Sequence, residues 1–514
     1  MDDVNKYRLH TAESETPHDL GGWFDGQGGT TGLTTAQQDR ACGAVLGTAI
    51  GDALGAGYEF GSAPVGPQGP AMIGGGLGGF APGEWTDDTT MAWCILDVAA
   101  SEIDLRSADG LDQIARNFRA WFDSHPPDIG NQTRSVLRMA GKDPTGATMA
   151  AIAGDLHART GHTAGNGSLM RTAPVALPYL HAPDALTEAA KTISALTHHD
   201  LQAQEACVLW SHAIRHAILH GEFNLRSGLR HLNANSRTFW VETIDKAETA
   251  DPSSFSPNGW VITALQAAWA AIHQTPIPTD DPRRHLEDAL TRVIEIGDDT
   301  DTTAAIAGAL LGARWGASAF PAEWRRISHG YPGLSGEQLV GLAHLAANRR
   351  PGVYGWPTVP LIDYSMYDIG IDPVPHPFDE GVLLADAAAL EALPEEVSAI
   401  VSLCLLGSEQ VPTDVEHVAF RLIDRADSES NPHLDFTLRD AAAAITTLRA
   451  EGHTVLLHCV AAQSRTPTVA IAYAMSLGVQ LDEARRSVLA ALPAANPNRG
   501  FEAALRRLQG EDEA

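Results

Sequence analysis

Gly297-Asp298-Asp299-Thr300-Asp301-Thr302 opens directly into the run Ala304-Ala305-Ile306-Ala307-Gly308-Ala309-Leu310-Leu311-Gly312-Ala313. Carboxylates and hydroxyls stand where a helix should begin, since Asp and Thr cap N-termini and Ala and Leu carry the helix onward. One such pair reads as a cap and nothing more. The chain repeats the device, however: Thr86-Asp87-Asp88-Thr89 stands just ahead of Met91-Ala92-Trp93-Cys94-Ile95-Leu96. If the two helix mouths meet, their clustered negative charge calls for a cation, because unpaired carboxylates repel and take up protons. Oxygen-only ligands select a hard ion, Mg²⁺ or Mn²⁺, over zinc. The donors exceed what one Mg²⁺ usually takes from protein, which favours a two-metal site.

The totals frame this reading. A chain of 514 residues is too long for one ordinary core, so two domains are expected. Apolar content of 44% with 19% charged residues suits a globular protein. A net charge of −29 argues against binding a nucleic-acid backbone, though not against a small phosphorylated ligand. The five cysteines are widely spaced and include no CxxC pair, as in a reducing compartment. Met1-Asp2-Asp3-Val4-Asn5-Lys6 lacks the basic and apolar regions of a signal, and no stretch reaches a membrane-spanning length. A cytoplasmic protein is expected.

Residues 1–33 read as a polar, mobile tail. Thr35-Ala36-Gln37-Gln38 has the form of a capping box, and the helix after it carries Gly43, Gly47, Gly51 and Gly55, one per turn on one face. Each costs roughly 1 kcal/mol in a helix interior, so a neighbouring helix or a ligand must approach closely. Gly308, Gly312 and Gly316 repeat the spacing, and helix–helix packing is the simpler cause. Gly74-Gly75-Gly76-Leu77-Gly78-Gly79 satisfies GxGxxG but opens no helix, so it is read as a flexible loop rather than a dinucleotide site. Residues 34–348 are otherwise Ala/Leu-rich helical patterns without alternating strands: an all-α domain. Within it, Gly165-Asn166-Gly167-Ser168-Leu169-Met170-Arg171 suits either phosphate-binding amides or a plain turn, and Thr197-His198-His199-Asp200 caps a helix. Asn348-Arg349-Arg350-Pro351-Gly352 marks a boundary. Over 349–514 strand candidates (397–403, 418–423, 454–457) and a helix at 438–449 indicate a smaller α/β domain.

Taken in order, Gly51-Asp52-Ala53-Leu54-Gly55 with Glu59, Gly83-Glu84-Trp85-Thr86-Asp87-Asp88-Thr89, Asp128-Ile129-Gly130-Asn131, Gly165–Arg171, Thr197-His198 and Asp299-Thr300-Asp301-Thr302 resemble the ADP-ribosylglycohydrolases. The resemblance spans about 38–348 and implies an all-α fold with two Mg²⁺ (or Mn²⁺) ions. It implies Thr86, Asp87, Asp88, Asp299, Asp301 and Thr302 as metal ligands, with Asp88 and Asp299 also serving catalysis. Asp298 stands where the family commonly has glycine. The implied reaction cleaves the bond from C1 of the distal ribose to an acceptor, protein arginine first among them, through an oxocarbenium-like state. Glu59 is a candidate for positioning substrate or moving a proton; its alternative is a surface glutamate. Asn166, Gly167, Ser168 and His198 are candidates for substrate contact, Gly167 and Ser168 at the pyrophosphate. Trp260 is a candidate for stacking adenine, its alternative being a core position.

Val455-Leu456-Leu457-His458-Cys459-Val460-Ala461-Ala462-Gln463-Ser464-Arg465-Thr466 is the second chemical stretch. An apolar strand leads in and Thr468–Met475 leads out as a helix, so the loop amides and Arg465 converge on an anion. That positive field favours the thiolate a phosphate-attacking Cys459 must be. The stretch resembles the dual-specificity (cysteine-based) protein phosphatases over about 353–510. The resemblance implies a phosphocysteine intermediate, with His458, Ser464 and Thr466 lining the phosphate site and a phosphorylated substrate as partner. Asp424 fits the general acid, with Asp427 the fallback. Ala462 stands where that family usually has glycine, so a strained loop is expected.

Overall fold

The computed structural model describes residues 32–510 apart from Asp368. The tail expected over 1–33 lies outside these residues except for Gly32 and Leu33. The chain divides into two compact units, 36–350 with 431–444, and 32–35 with 351–430 and 445–510; the division falls inside the helix Leu434–Ala450.

The first unit is helical. Among its described residues the single ladder is a two-residue antiparallel pair, His329–Gly330 with Leu334–Ser335. Its axis is the glycine helix, Thr35–Gly55, buried almost throughout. The acidic stretch at 299–302 opens the helix Thr300–Trp315, with Asp299 as its N-cap residue. These two helices run antiparallel in backbone contact. A Cβ on Gly43 would stand 2.3 Å from the Gly312 carbonyl, one on Gly47 2.1 Å from that of Gly308, and one on Gly51 2.0 Å from that of Ala304. No side chain fits there, so close helix packing explains the stripe. The contact also fixes the ends: the Thr300 hydroxyl donates to the Gly55 carbonyl at 2.8 Å. The other acidic stretch opens the helix Asp87–Ala100. Asp200 caps Leu201–His220 as expected, accepting from the Gln202 amide at 2.8 Å.

The second unit holds a five-stranded sheet: β1 (Val374–His376), β2 (Asp379–Ala385), β3 (Ala399–Ser402), β4 (Glu416–Ala419) and β5 (Val455–His458), in the order β1-β2-β5-β3-β4. Only β1 pairs antiparallel; the rest are parallel and register Ala385 and Ser402 on either side of His458. β4 ends at Ala419, and 420–423 leave it as a loop, a correction to the expected strand. The parallel strands end together, and the helix Arg465–Ser476 begins just beyond β5, the usual place for a site in such a sheet.

Candidate functional sites

In the first unit the two acidic mouths are assembled by the end of the glycine helix. Asp52, fully buried one turn before its end, accepts from the Thr86 amide (3.0 Å), the Thr89 amide (3.0 Å) and the Thr89 hydroxyl (2.6 Å). It thus clamps the start of Asp87–Ala100, while Gly55 holds the start of Thr300–Trp315 three residues later. Burial raises the Asp52 carboxyl to about 6 despite these bonds. Asp87, Asp88 and Asp301 are all raised, first by burial and then by neighbouring carboxylates. Asp88 is the leading neighbour acting on Asp301, and Asp299 acts on all three, so the mouths share one site.

Glu59 is no surface glutamate. It is buried just past the glycine helix, takes the Leu77 amide of the glycine-rich loop, and is raised to about 8 by burial and then by Asp128 and Asp299. That loop therefore serves Glu59 as well as leading to the acidic mouth, and Gly76 passes so near that a Cβ would meet the Ala56 carbonyl at 2.3 Å. Glu59, Asp128 and Asp301 offer carboxylate oxygens all within 4.8 Å of one another. Asp128 is the residue sequence reasoning passed over. Its motif is visible in the sequence, but nothing in the spacing from 88 to 128 says that the loop folds back onto Asp87, to which Gly130 donates its amide.

The donor set fits a hard divalent ion. It is all oxygen, and it is crowded with like charge, with Asp87, Asp88 and Asp301 buried and Asp128 and Asp299 partly so. Asp88 Oδ1 is buried with no hydrogen-bond partner, while Oδ2 takes the Thr86 hydroxyl at 3.1 Å. A buried carboxylate oxygen left bare costs free energy that a cation would offset. Thr302 is buried beside Asp301, whose Oδ1 accepts the Thr302 amide at 2.8 Å.

Around this centre lie the expected substrate residues. Asn166 donates to Asp299 Oδ2 at 2.7 Å, and Asn258 grips the same residue from the other side, accepting the Asp299 amide at 3.0 Å. Asn258 shares its short loop with Trp260, and nothing in the local sequence says that its side chain reaches Gly297 and Asp299, some 40 residues on. Trp260 is 46% exposed, which removes the core alternative. Gly165 and Gly167 face the buried His198 ring, where added Cβ atoms would stand 3.4 and 3.1 Å from it. His198 is held neutral by burial and then by Arg171, its value lowered to about 3. Ser168 differs from expectation: its hydroxyl is buried and bonded to Ser194 at 2.9 Å, turned inward from any pyrophosphate. Asp298 adopts φ +62°, the conformation that explains glycine's suitability there, and its side chain takes the Ser256 hydroxyl.

In the second unit Cys459 follows β5 directly and is buried under its loop. Arg465 is anchored by the Leu403 carbonyl at 2.8 Å, and its Nε is buried without a partner. Burial lowers its guanidinium, but Cys459, Cys404 and Asp424 outweigh this and raise it. Asp424 Oδ1 accepts from the Ser464 hydroxyl (2.7 Å) and the Asn498 amide (2.8 Å), whereas Asp427 is engaged with the Ser430 amide. The structure thus ties Asp424, not the fallback, to the loop. Ala462 stands at φ +51°, buried, so the expected strain is present. Two expected lining residues point elsewhere. His458 is fully buried, meets Ser402 at 2.8 Å and is lowered to about 3 by burial; the Thr466 hydroxyl is buried and reaches the Ala385 carbonyl at 3.5 Å.

Comparison with known proteins follows the same division. The family model for ADP-ribosylglycohydrolase matches residues 33–354, and that for the dual specificity phosphatase catalytic domain matches 408–511. The chain is 32% identical over 302 residues to ADP-ribosylarginine hydrolase Tri1 of Pseudomonas putida, covering 56% of this chain and 73% of that protein. It is 31% identical over 291 residues to the ADP-ribosyl-[dinitrogen reductase] glycohydrolase of Rhodospirillum rubrum, covering 56% and 89%. Dual specificity protein phosphatase 1 of Arabidopsis thaliana is 28% identical over 143 residues, covering 27% and 69%. Among the described residues no helix is long and apolar enough to cross a membrane. The chain belongs to the ADP-ribosylglycohydrolase family and carries a dual specificity phosphatase-like domain at its C-terminal end.

Proposed function

We propose that the first unit hydrolyses the glycosidic bond between ADP-ribose and an acceptor, with protein arginine the leading candidate, and that it does so with a pair of Mg²⁺ or Mn²⁺ ions. The observation that carries this reading is the convergence of Asp88, Asp299 and Asp301 with Glu59 and Asp128 around a bare buried carboxylate oxygen. Thr86, Asp87, Asp88, Asp299, Asp301 and Thr302 would hold the ions, with Asp128 and Glu59 beside them. When bound, such ions orient the ribose hydroxyls and a water and stabilise developing charge. The chain's own work is positioning. Asn166 and Asn258 fix Asp299, Asp52 fixes the opposite mouth, and Glu59 is placed to hold a proton at its carboxyl oxygen near neutral pH. Exposed Trp260 offers a face to adenine. The test is release of ADP-ribose from an ADP-ribosyl-arginine peptide. Release should require Mg²⁺, vanish in Asp299→Ala and persist in Cys459→Ser. Full activity in excess chelator would overturn the reading.

For the second unit we propose phosphate-monoester hydrolysis. The Cys459 thiolate attacks phosphorus, Arg465 holds the phosphoryl oxygens, and Asp424 gives its proton to the leaving oxygen; water then cleaves the phosphocysteine. The bond from Ser464 to Asp424 supports this, because it ties the acid to the loop that binds phosphate. A second reading, a phosphate-binding module without turnover, draws on the strained Ala462. Aryl-phosphate turnover lost in Cys459→Ser favours catalysis; phosphate binding with no turnover favours the module.

A further inference from the structure

The segment 353–371 lies ahead of the residues matched by the phosphatase family model, yet it is fastened to the phosphate site at many points. Asp386, buried at the end of β2, accepts the Gly370 and Ile371 amides at 2.6 and 2.9 Å. Gln410 accepts the Ile362 amide at 3.1 Å, and the Ser408 and Glu409 amides bond the Val359 and Pro360 carbonyls. Tyr364 donates to the Leu405 carbonyl at 2.6 Å, two residues from the Leu403 carbonyl that anchors Arg465. Its ring is buried with Ile362, Ala387 and Val460, the residue after Cys459. Two more tyrosines rest on it. Tyr354 meets the ring edge-on at 5.4 Å, Tyr367 lies at 6.2 Å, and their hydroxyls bond each other. Tyr354 adopts φ +57°, which costs a bulky residue about 1–2 kcal/mol and marks a position held by its surroundings. Tyr354 and Tyr367 remain part-exposed, and both Tyr354 and Tyr364 stand within the field of Arg465.

We propose that this strapped tyrosine cluster is a wall of the phosphate pocket and selects esters whose phosphate is carried directly on an aromatic ring. A ring held by Arg465 through its phosphate can lay its face or edge on Tyr354 and Tyr367, an interaction an alkyl phosphate cannot make. The inference rests on the second unit being a phosphate site, and it deepens that reading by naming the substrate class.

The test uses the full chain carrying Cys459→Ser, so that binding is read without turnover. Two peptides of identical sequence, one with phosphotyrosine and one with phosphothreonine, are titrated by calorimetry. The phosphotyrosine peptide should bind more tightly. Tyr367→Ala, at a part-exposed position, and Tyr354→Ala should each shrink that preference by about threefold to tenfold, the phosphotyrosine peptide losing more affinity than the phosphothreonine peptide. Equal affinity for both esters, or equal weakening of both in the variants, would overturn the wall while leaving the phosphate site standing. Binding of neither peptide would remove the phosphate-site reading and the wall with it. A nucleoside 5′-monophosphate that matches the phosphotyrosine peptide would overturn the requirement for a directly attached ring.

Discussion

Ala462 is the residue at which the second unit departs most from an ideal phosphate loop. A left-handed backbone costs an L-residue about 1–2 kcal/mol, and glycine avoids that cost while adding freedom to the unfolded chain. Ala462→Gly should therefore raise unfolding free energy by roughly 0.5–1 kcal/mol, read by denaturant titration. Aryl-phosphate turnover should rise with it; a fall in both would show that the loop is not strained. Asp424 and Asp427 separate just as cleanly. Asp424→Asn should lower kcat on an aryl phosphate by about 10²–10⁴, the usual worth of a general acid, and Asp427→Asn should leave it unchanged. Both outcomes follow from a single hydrogen bond, Ser464 to Asp424.

At the scale of elements, the glycine helix decides where the acidic mouths sit. Gly47→Ala would place a methyl 2.1 Å from the Gly308 carbonyl, forcing the two helices apart. Overpacking of this kind costs about 1–3 kcal/mol. The same displacement should weaken divalent-ion binding at the helix ends, so a thermal melt with and without Mg²⁺ reads both effects; an unchanged melt would show the contact to be slack. The glycine stripe and both acidic caps were legible because helix periodicity and capping act over a few residues. Asp128 and Asn258 were not, since their roles depend on loops returning from tens of residues away. The strand β2 was hidden for a different reason: Val382-Leu383-Leu384-Ala385 runs on into Asp386-Ala387-Ala388-Ala389-Leu390, a composition that favours helix. Tertiary pairing with β5 overrides that preference. Trp260 and Ser168 show the limit for single side chains, because sequence places a residue on a loop without saying which way it turns.

For the whole molecule, the buried acids make stability depend on pH in an unusual direction. Glu59 is raised to about 8 and Asp52 to about 6, so folding without metal binds protons there. Their contribution is complete below the roughly 4 of an unfolded carboxylate and is lost as pH climbs through 6 and 8. Chelated protein should accordingly melt at lower temperature as pH rises over that window. Mg²⁺, which favours the folded and deprotonated form, should stabilise it most at the upper end. A chelated melt that improves from pH 5 to 8 would contradict this charge distribution.

Two distant acidic stretches meet in one cradle, and equilibrium binding of Mn²⁺ to the full chain, followed by its spin resonance, tests that most directly. Saturable binding of a pair of ions is predicted, weakened about tenfold or more when either mouth loses one carboxylate, whether by Asp88→Asn or by Asp301→Asn. Binding that survives intact in either variant, or no saturable binding at all, would contradict it.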